Sequence, residues 1–259
     1  MPLRGIKCPC TGQNETFGDC VEKHLNKSCP CHVPIYMLDY YNQDKRSTQP
    51  YPEDTYSATV LLKCPRAFRH EQENDYYMSE VQLWNMVRGT WTHHMMESSP
   101  HREHVIRETR LWKPITVDGK EAIIAGTPDE VDTLNMVLMD YKSKDTLPKG
   151  PDAAHEAQFN VYVWLLQGGV NAVGVPVDIT INRGGMHYIT WKTKTDKQFL
   201  KIPYPIWSPE EIQEFLETRI RLLRMEDPPC SPYGMSSYWT CDCVKYERNM
   251  MEDTLGEFE

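Results

Sequence analysis

The 259-residue sequence holds no apolar run fit to cross a bilayer: its greasiest stretch, Val161 to Val177, is broken by Gln167, Gly168, Gly169 and Asn171. No segment repeats, which excludes repeat architectures. Positive charge is in deficit, with 28 Lys and Arg against 37 Asp and Glu for a net charge of −9. That balance argues against long non-specific tracks on nucleic acid and confines any such surface to a local, salt-sensitive basic patch. No groove-reading motif is present, so sequence-specific recognition is not supported. The opening Met1-Pro2-Leu3-Arg4 lacks the apolar stretch of a signal peptide. These absences lead us to expect a cytoplasmic protein, bacterial, archaeal or viral in a host cytoplasm, with no membrane partner.

What is present is ordinary globular composition, 40% hydrophobic and 25% charged. The length suits one large domain with a small appendage. Nine cysteines are many. Their odd count, without a secretory signal, disfavours a disulfide framework. They lie at the two ends with one near position 64, a clustering that points to metal ligation.

Residues 1–50 read as a Cys/His-rich metal-binding module with few periodic apolar positions, followed by a polar, proline-containing linker. A main domain is expected over 55–245 and an acidic tail over 246–259. Ser79-x-x-Gln82 resembles a capping box, and a helix should follow to about Glu97. Val117-Asp118-Gly119-Lys120 is a hairpin signal between apolar runs. A strand is expected over 135–143, a helix that is apolar nearly all round over 152–167, and strands near 172–182 and 186–194. Ser208-Pro209-Glu210-Glu211 starts a helix whose buried stripe is Ile212, Phe215, Leu216, Ile220 and Leu223. The order implies an α/β fold with helices packed on a mixed central sheet.

Between 89 and 162 runs an ordered series: Gly89-x-x-x-His93, Pro128-Asp129, Asp140-Tyr141-Lys142 and Gln158-x-x-x-Tyr162. Alternate residues of a strand share a face, so Asp140 and Lys142 point the same way. Paired positions of an antiparallel ladder have a constant sum; if Val131 pairs with Leu138, Asp129 falls opposite Asp140, with Cβ atoms about 5 Å apart. Two carboxylates so placed repel unless a divalent cation lies between them. Oxygen ligands suit Mg²⁺ or Mn²⁺, and His93, if it reaches the site, favours Mn²⁺. Lys142 would then orient water or offset transition-state charge. Gln158 and Tyr162, on one helix face, would support Lys142 or hold a phosphate. Each motif alone has an ordinary explanation: a solvated strand edge, a turn, a structural histidine, a helix surface. Their ordered coincidence favours catalysis, and with it a metal-dependent nuclease.

The series Gly89-Thr90-x-x-His93, Gly126-Thr127-Pro128-Asp129, Asp140-Tyr141-Lys142 and Gln158-x-x-x-Tyr162 resembles the RecB-like branch of the PD-(D/E)xK nuclease superfamily. Cys64-Pro65-Arg66-Ala67-Phe68 is similar to the opening of its iron–sulfur members, the CRISPR-associated RecB-like exonucleases and their viral relatives. The resemblance covers about residues 55–245. It implies a restriction-endonuclease-like core and metal-dependent hydrolysis of DNA, commonly from an end. It makes His93, Asp129, Asp140 and the Tyr141 backbone carbonyl metal ligands, Lys142 the catalytic lysine, and Gln158 and Tyr162 the supporting pair. It further implies a 4Fe–4S cluster on Cys64, Cys230, Cys241 and Cys243, although the last three depart from the family's tighter spacing; Zn²⁺ or buried free thiols remain alternatives.

Outside the resemblance, Cys8, Cys10, Cys20, His24, Cys29 and Cys31 offer more ligands than one tetrahedral Zn²⁺ needs, so the set stays open. Arg66, Tyr188, Trp191, Lys192 and Lys194 are expected to contact nucleic acid, single-stranded or at ends, by stacking and phosphate pairing; an ordinary exposed hairpin is the alternative. Against the exonuclease reading stand a non-catalytic DNA- or partner-binding accessory factor in recombination, repair or CRISPR adaptation, and a structure-dependent endonuclease using the same site.

Overall fold

The structure, a computed structural model, describes residues 3–28, 33–43, 53–73, 76–100, 102–191, 197–230, 233 and 241. Its elements in chain order begin with β1 (Leu3–Lys7), β2 (Asn14–Thr16), α1 (Phe17–Leu25), α2 (Ile35–Gln43), β3 (Thr55–Ser57), α3 (Ala58–Leu62), α4 (Pro65–Glu73), β4 (Tyr76–Met78) and α5 (Glu80–Glu97). They continue with β5 (Val105–Arg107), β6 (Leu111–Val117), β7 (Lys120–Gly126), β8 (Glu130–Asp132), β9 (Val137–Lys144) and α6 (Ala153–Leu166). The last are β10 (Gln167–Asn171), β11 (Pro176–Asp178), β12 (Arg183–Thr190), β13 (Phe199–Pro203) and α7 (Pro209–Arg224). The chain divides into two units, Met1–Tyr51 with His70–Thr92, and Pro52–Arg69 with His93–Glu259.

The first unit has a three-stranded sheet in the order β2-β1-β4. β1 pairs antiparallel with β2 and parallel with the distant β4. A core of its own gathers Ile6, Phe17, Val33, Leu38 and Tyr41 with Met78 and Leu83. The N-terminal segment is therefore more apolar in its packing than the sparse periodicity suggests, because Met78 and Leu83 complete the cluster from 40 residues on. The capping box at the start of α5 is present: the Ser79 N–H donates to Gln82 Oε1 at 2.7 Å, and the Gln82 N–H to Ser79 Oγ at 3.2 Å.

The second unit holds two five-stranded ladders, β11-β10-β6-β7-β3 and β13-β12-β9-β8-β5. Both are mixed, since β3 runs parallel to β7 and β12 parallel to β9. The β6–β7 hairpin closes through Asp118 and Gly119, at φ 51° and 75°. Positive φ at both central residues is the two-residue turn whose twist matches the strands. α6 packs on strands of both ladders. That double cover explains its sequence, in which Phe159, Val161, Val163, Leu165 and Leu166 are buried around the helix. α7 carries the expected capping box on Ser208 and Glu211, with Pro209 at its first position, and it buries all five residues of its stripe.

Two strand boundaries differ from expectation. The chain turns into β10 directly at the end of α6, through Gly168 at φ 85°, so the late strands fall at 167–171, 176–178 and 183–190 rather than near 172–182 and 186–194. β13 was not expected; its first residue, Phe199, is exposed on an edge, where hydrophobic alternation is a weak signal.

Candidate functional site

The chain leaves one ladder of the second unit at Gly126 and enters the other at Glu130, so Thr127-Pro128-Asp129 bridges the two. Gly126 suits this approach: a Cβ would lie 2.7 Å from Leu165 Cδ1 and 2.8 Å from Tyr162 Cε1, so any larger residue would force those side chains to shift. Asp129 is held from two sides. Its Oδ2 accepts the Tyr141 N–H at 2.6 Å, and its Oδ1 lies 3.3 Å from His93 Nδ1.

The ladder between β8 and β9 pairs Glu130 with Met139, Val131 with Leu138 and Asp132 with Val137. This is the register expected from the constant sum, and one further step sets Asp129 beside Asp140. Asp140 is fully buried, and its Oδ2 forms an ion pair with Lys142 Nζ at 2.5 Å. Among the described residues, Asp140 Oδ1 has no hydrogen-bond partner. Burial pushes the Asp140 carboxyl up to about 7 against the pull of Lys142, with the charge of Asp129 adding to the rise. At Lys142 burial acts to lower the ammonium pKa, but the charges of Asp140 and Asp129 outweigh it and leave it raised.

A further carboxylate joins them. His93 Nδ1 lies 2.8 Å from Glu108 Oε1, and the Glu108 N–H donates to the Asp129 carbonyl at 3.3 Å. Glu108 sits at φ 47°, a left-handed conformation that costs a non-glycine residue about 1 kcal/mol or more. Hydrogen bonding to Asp129 and Glu108 pushes the imidazole up to about 10, so without a metal the ring is a cation between two carboxylates. His93 and Glu108 are 37% and 26% exposed, while Asp129 and Asp140 are 4% and 1%; the site thus has a wet side and a buried floor. Ligating atoms of His93, Glu108 and Asp129 all lie within 4.8 Å of one another. This nitrogen and oxygen set, together with the orphaned Asp140 oxygen, fits a Mg²⁺ or Mn²⁺ ion, whose binding would displace the His93 proton.

Gln158 and Tyr162 bond to each other. The Gln158 side-chain amide donates to the Tyr162 hydroxyl at 2.8 Å, and both are buried. Burial drives the phenol pKa well above its usual value, with Asp140 and Asp129 adding to the rise, so Tyr162 keeps its proton close to the carboxylates.

A second group lies elsewhere in the same unit. Cys64, Cys230 and Cys241 bring their sulfurs within 4.8 Å, and Ala67 packs against them. Neighbouring contacts tie α7 and the segment after it to α3, α4 and the turn between them. Arg219 Nε donates to the Leu61 carbonyl at 2.6 Å and a terminal nitrogen donates to the Lys63 carbonyl, while Arg66 Nε reaches the Pro228 carbonyl at 3.2 Å and Arg69 the Met225 carbonyl at 2.9 Å. Three converging thiols suit a soft ion or an iron–sulfur cluster. Cys243 lies outside the described residues.

The N-terminal ligands are less converged. Among the described residues Cys8, Cys10, Cys20 and His24 form no group of three within ligating reach, and Cys8 and Cys20 are buried in the apolar core of the first unit. Cys29 and Cys31 lie outside the described residues. The expected nucleic-acid contacts need correction at Tyr188, which is 0% exposed. Its hydroxyl lies 2.8 Å from His155 Nδ1 and 2.9 Å from the Tyr204 hydroxyl, and β12 lies between β9 and β13, so no ring face is open for stacking. Arg66 serves the tie to Pro228, whereas Trp191 is 46% exposed; Lys192 and Lys194 lie outside the described residues. No helix among the described residues is long and apolar enough to cross a membrane.

Sequence reasoning missed Glu108. Its one signal is its place three residues after Val105, between a short strand and β6, and nothing in its residue type announces a left-handed backbone.

Comparison with known proteins agrees with this fold. Residues 99–243, over half of the chain, match the family model of the PD-(D/E)XK nuclease superfamily. A CRISPR-associated exonuclease Cas4 from Saccharolobus solfataricus is 27% identical over 136 residues, which span 51% of this chain and 66% of that relative, just under two thirds of its length. The crystal structure of SSO0001 is similar in fold, with a TM-score of 0.55 at 22% identity, covering 73% of this chain and 86% of that one. Mixed sheets flanked by helices are thus the restriction-endonuclease-like architecture expected.

Proposed function

Because the chain belongs to the PD-(D/E)XK nuclease superfamily, we propose that it is a divalent-metal-dependent DNA exonuclease acting through the His93–Glu108–Asp129–Asp140–Lys142 cluster. The observation that carries the proposal is the convergence of a buried ion pair, Lys142 with Asp140, on a three-ligand nitrogen and oxygen group. His93, Glu108, Asp129, Asp140 and the Tyr141 carbonyl would hold Mg²⁺ or Mn²⁺. When bound, the cation supplies Lewis-acid activation of water and of the phosphoryl group.

The chain's own residues do the rest. The Tyr141 N–H fixes the Asp129 carboxylate, so its orientation requires no reorganisation when substrate arrives. Lys142, kept protonated by Asp140, places a fixed positive charge where negative charge grows on the phosphoryl oxygens. Asp140 sets the position of that ammonium through the 2.5 Å contact. Burial keeps Tyr162 a neutral, protonated phenol behind the acids, against the pull of the Gln158 hydrogen bond, and its ring packs against Gly126 at the start of the Asp129 bridge. Action from ends is supported by the name of the exonuclease relative. A 4Fe–4S cluster on Cys64, Cys230 and Cys241, with Cys243 as its fourth ligand, completes the proposal as a structural staple.

The test compares the parent with Lys142→Ala and Asp129→Ala on end-labelled linear and circular DNA in Mn²⁺. Each substitution should slow hydrolysis about 10³-fold or more while circular dichroism shows an intact fold. Parental rates in either variant would remove that residue from the mechanism, and cleavage of the circle at the linear rate would make the enzyme an endonuclease.

A further inference from the structure

α5 buries one side and leaves another bare. Leu83, Met86 and Val87 pack into the first unit's core. Val81, Trp84 and Trp91 do not: they are 67%, 52% and 63% exposed. With Arg88 they recur at spacings of three, four and three, so all four lie along one stripe of the helix. Isolated exposed apolar residues are common, but two tryptophans aligned two turns apart form a patch. The charge along this stretch is as selective as the rings. From Val81 to Met96 there is no Asp or Glu, in a chain with 37 of them, while Arg88, which is half-buried, and His94 are present.

We propose that this stripe of α5 is a docking track for single-stranded DNA, with nucleobases stacked on Trp84 and Trp91 and the intervening phosphates drawn to Arg88. The inference rests on the nuclease reading and deepens it by naming the strand form and where the strand is held. The rings lie about 10 Å apart along the axis, at 1.5 Å per residue, which separates two stacking platforms. Base–aromatic stacking with nearby cations is the general mode of sequence-tolerant single-strand binding. A second copy of the chain fits the stripe less well, because a two-fold seam would bring Arg88 against its own mate. A duplex fits less well too, since its bases are already stacked on each other. The track lies on the helix that also carries His93, two residues beyond Trp91 in sequence.

The test uses the full chain carrying Asp129→Asn, so that binding is read without cleavage. Anisotropy would follow a labelled oligothymidylate and, separately, a duplex of equal length. Trp84→Leu with Trp91→Leu should weaken oligothymidylate binding about 30-fold or more and leave duplex binding within about twofold. Trp84→Phe with Trp91→Phe should restore single-strand binding to within a few fold, because a ring remains where leucine supplies only apolar area. Four results overturn the proposal: no oligothymidylate binding by the Asp129→Asn chain, parental affinity in the leucine pair, equal weakness in the phenylalanine pair, or equal losses for single strand and duplex. Loss of a dimer on size exclusion with unchanged DNA affinity would also overturn it and make the stripe a protein-docking face. The two readings separate cleanly. A parent that cleaves DNA while the leucine pair binds normally sinks only the track, and a parent inert in Mn²⁺ with the stacking contrast intact sinks only the nuclease.

Discussion

Two groups in the second unit each bring three ligating atoms within 4.8 Å, and they are built on opposite chemistry. His93, Glu108 and Asp129 offer hard nitrogen and oxygen donors, with His93 and Glu108 open to water. Cys64, Cys230 and Cys241 offer sulfur alone, largely buried against Ala67 and ringed by ties from Arg66, Arg69 and Arg219 to backbone carbonyls. The first tolerates an unfavourable arrangement, a left-handed glutamate and a buried carboxylate oxygen with no hydrogen-bond partner among the described residues. The second joins the residues after α7 to α4, a connection of more than 150 residues in sequence. Frustration at one and closure at the other are what the proposed catalytic and structural roles require.

That contrast can be broken by substitution. Asp140→Asn should reduce hydrolysis about 10³-fold while moving Tm by only a few degrees, since the amide keeps the volume and its oxygen can still accept from Lys142. A large fall in Tm would mean that the hard site also holds the fold. Cys241→Ser should do the reverse. It should lower Tm by about 5–10 °C and deplete bound iron, with cleavage falling only as far as the folded fraction falls. Unchanged Tm and metal content would leave the thiols without a structural role. Arg219→Ala should cost about 3 kcal/mol in urea denaturation, because two carbonyls lose their donor in a buried setting. The smallest effect is expected at the first site's support. Gly126→Ala should cost about 1–2 kcal/mol, as Tyr162 and Leu165 shift to admit a methyl group, and hydrolysis should weaken several-fold as Tyr162 moves.

Much of the working site was legible because its signals are local. The constant-sum rule placed Asp129 beside Asp140 from the Val131–Leu138 pairing alone. The turn at Asp118-Gly119 and the caps at Ser79 and Ser208 were readable because each depends on a few adjacent residues. The rest depended on distant chain. Glu108 reaches His93 only through a backbone conformation that its residue type disfavours. Tyr188 looked exposed among its cationic neighbours, yet it lies on a central strand and points to His155 of α6, a cover that alternation along one strand does not reveal. Met78 and Leu83 enter the N-terminal core through the parallel pairing of β4 with β1, which no local pattern announces.

The most direct test of the account is calorimetric titration of Mn²⁺ into the parent, Asp129→Ala and Cys241→Ser proteins. The account predicts Mn²⁺ binding in the parent, affinity lower by about tenfold or more in Asp129→Ala, and parental affinity in folded Cys241→Ser. Equal Mn²⁺ affinity in the parent and Asp129→Ala would contradict it, because the imidazole–carboxylate group would then not be where the cation is held.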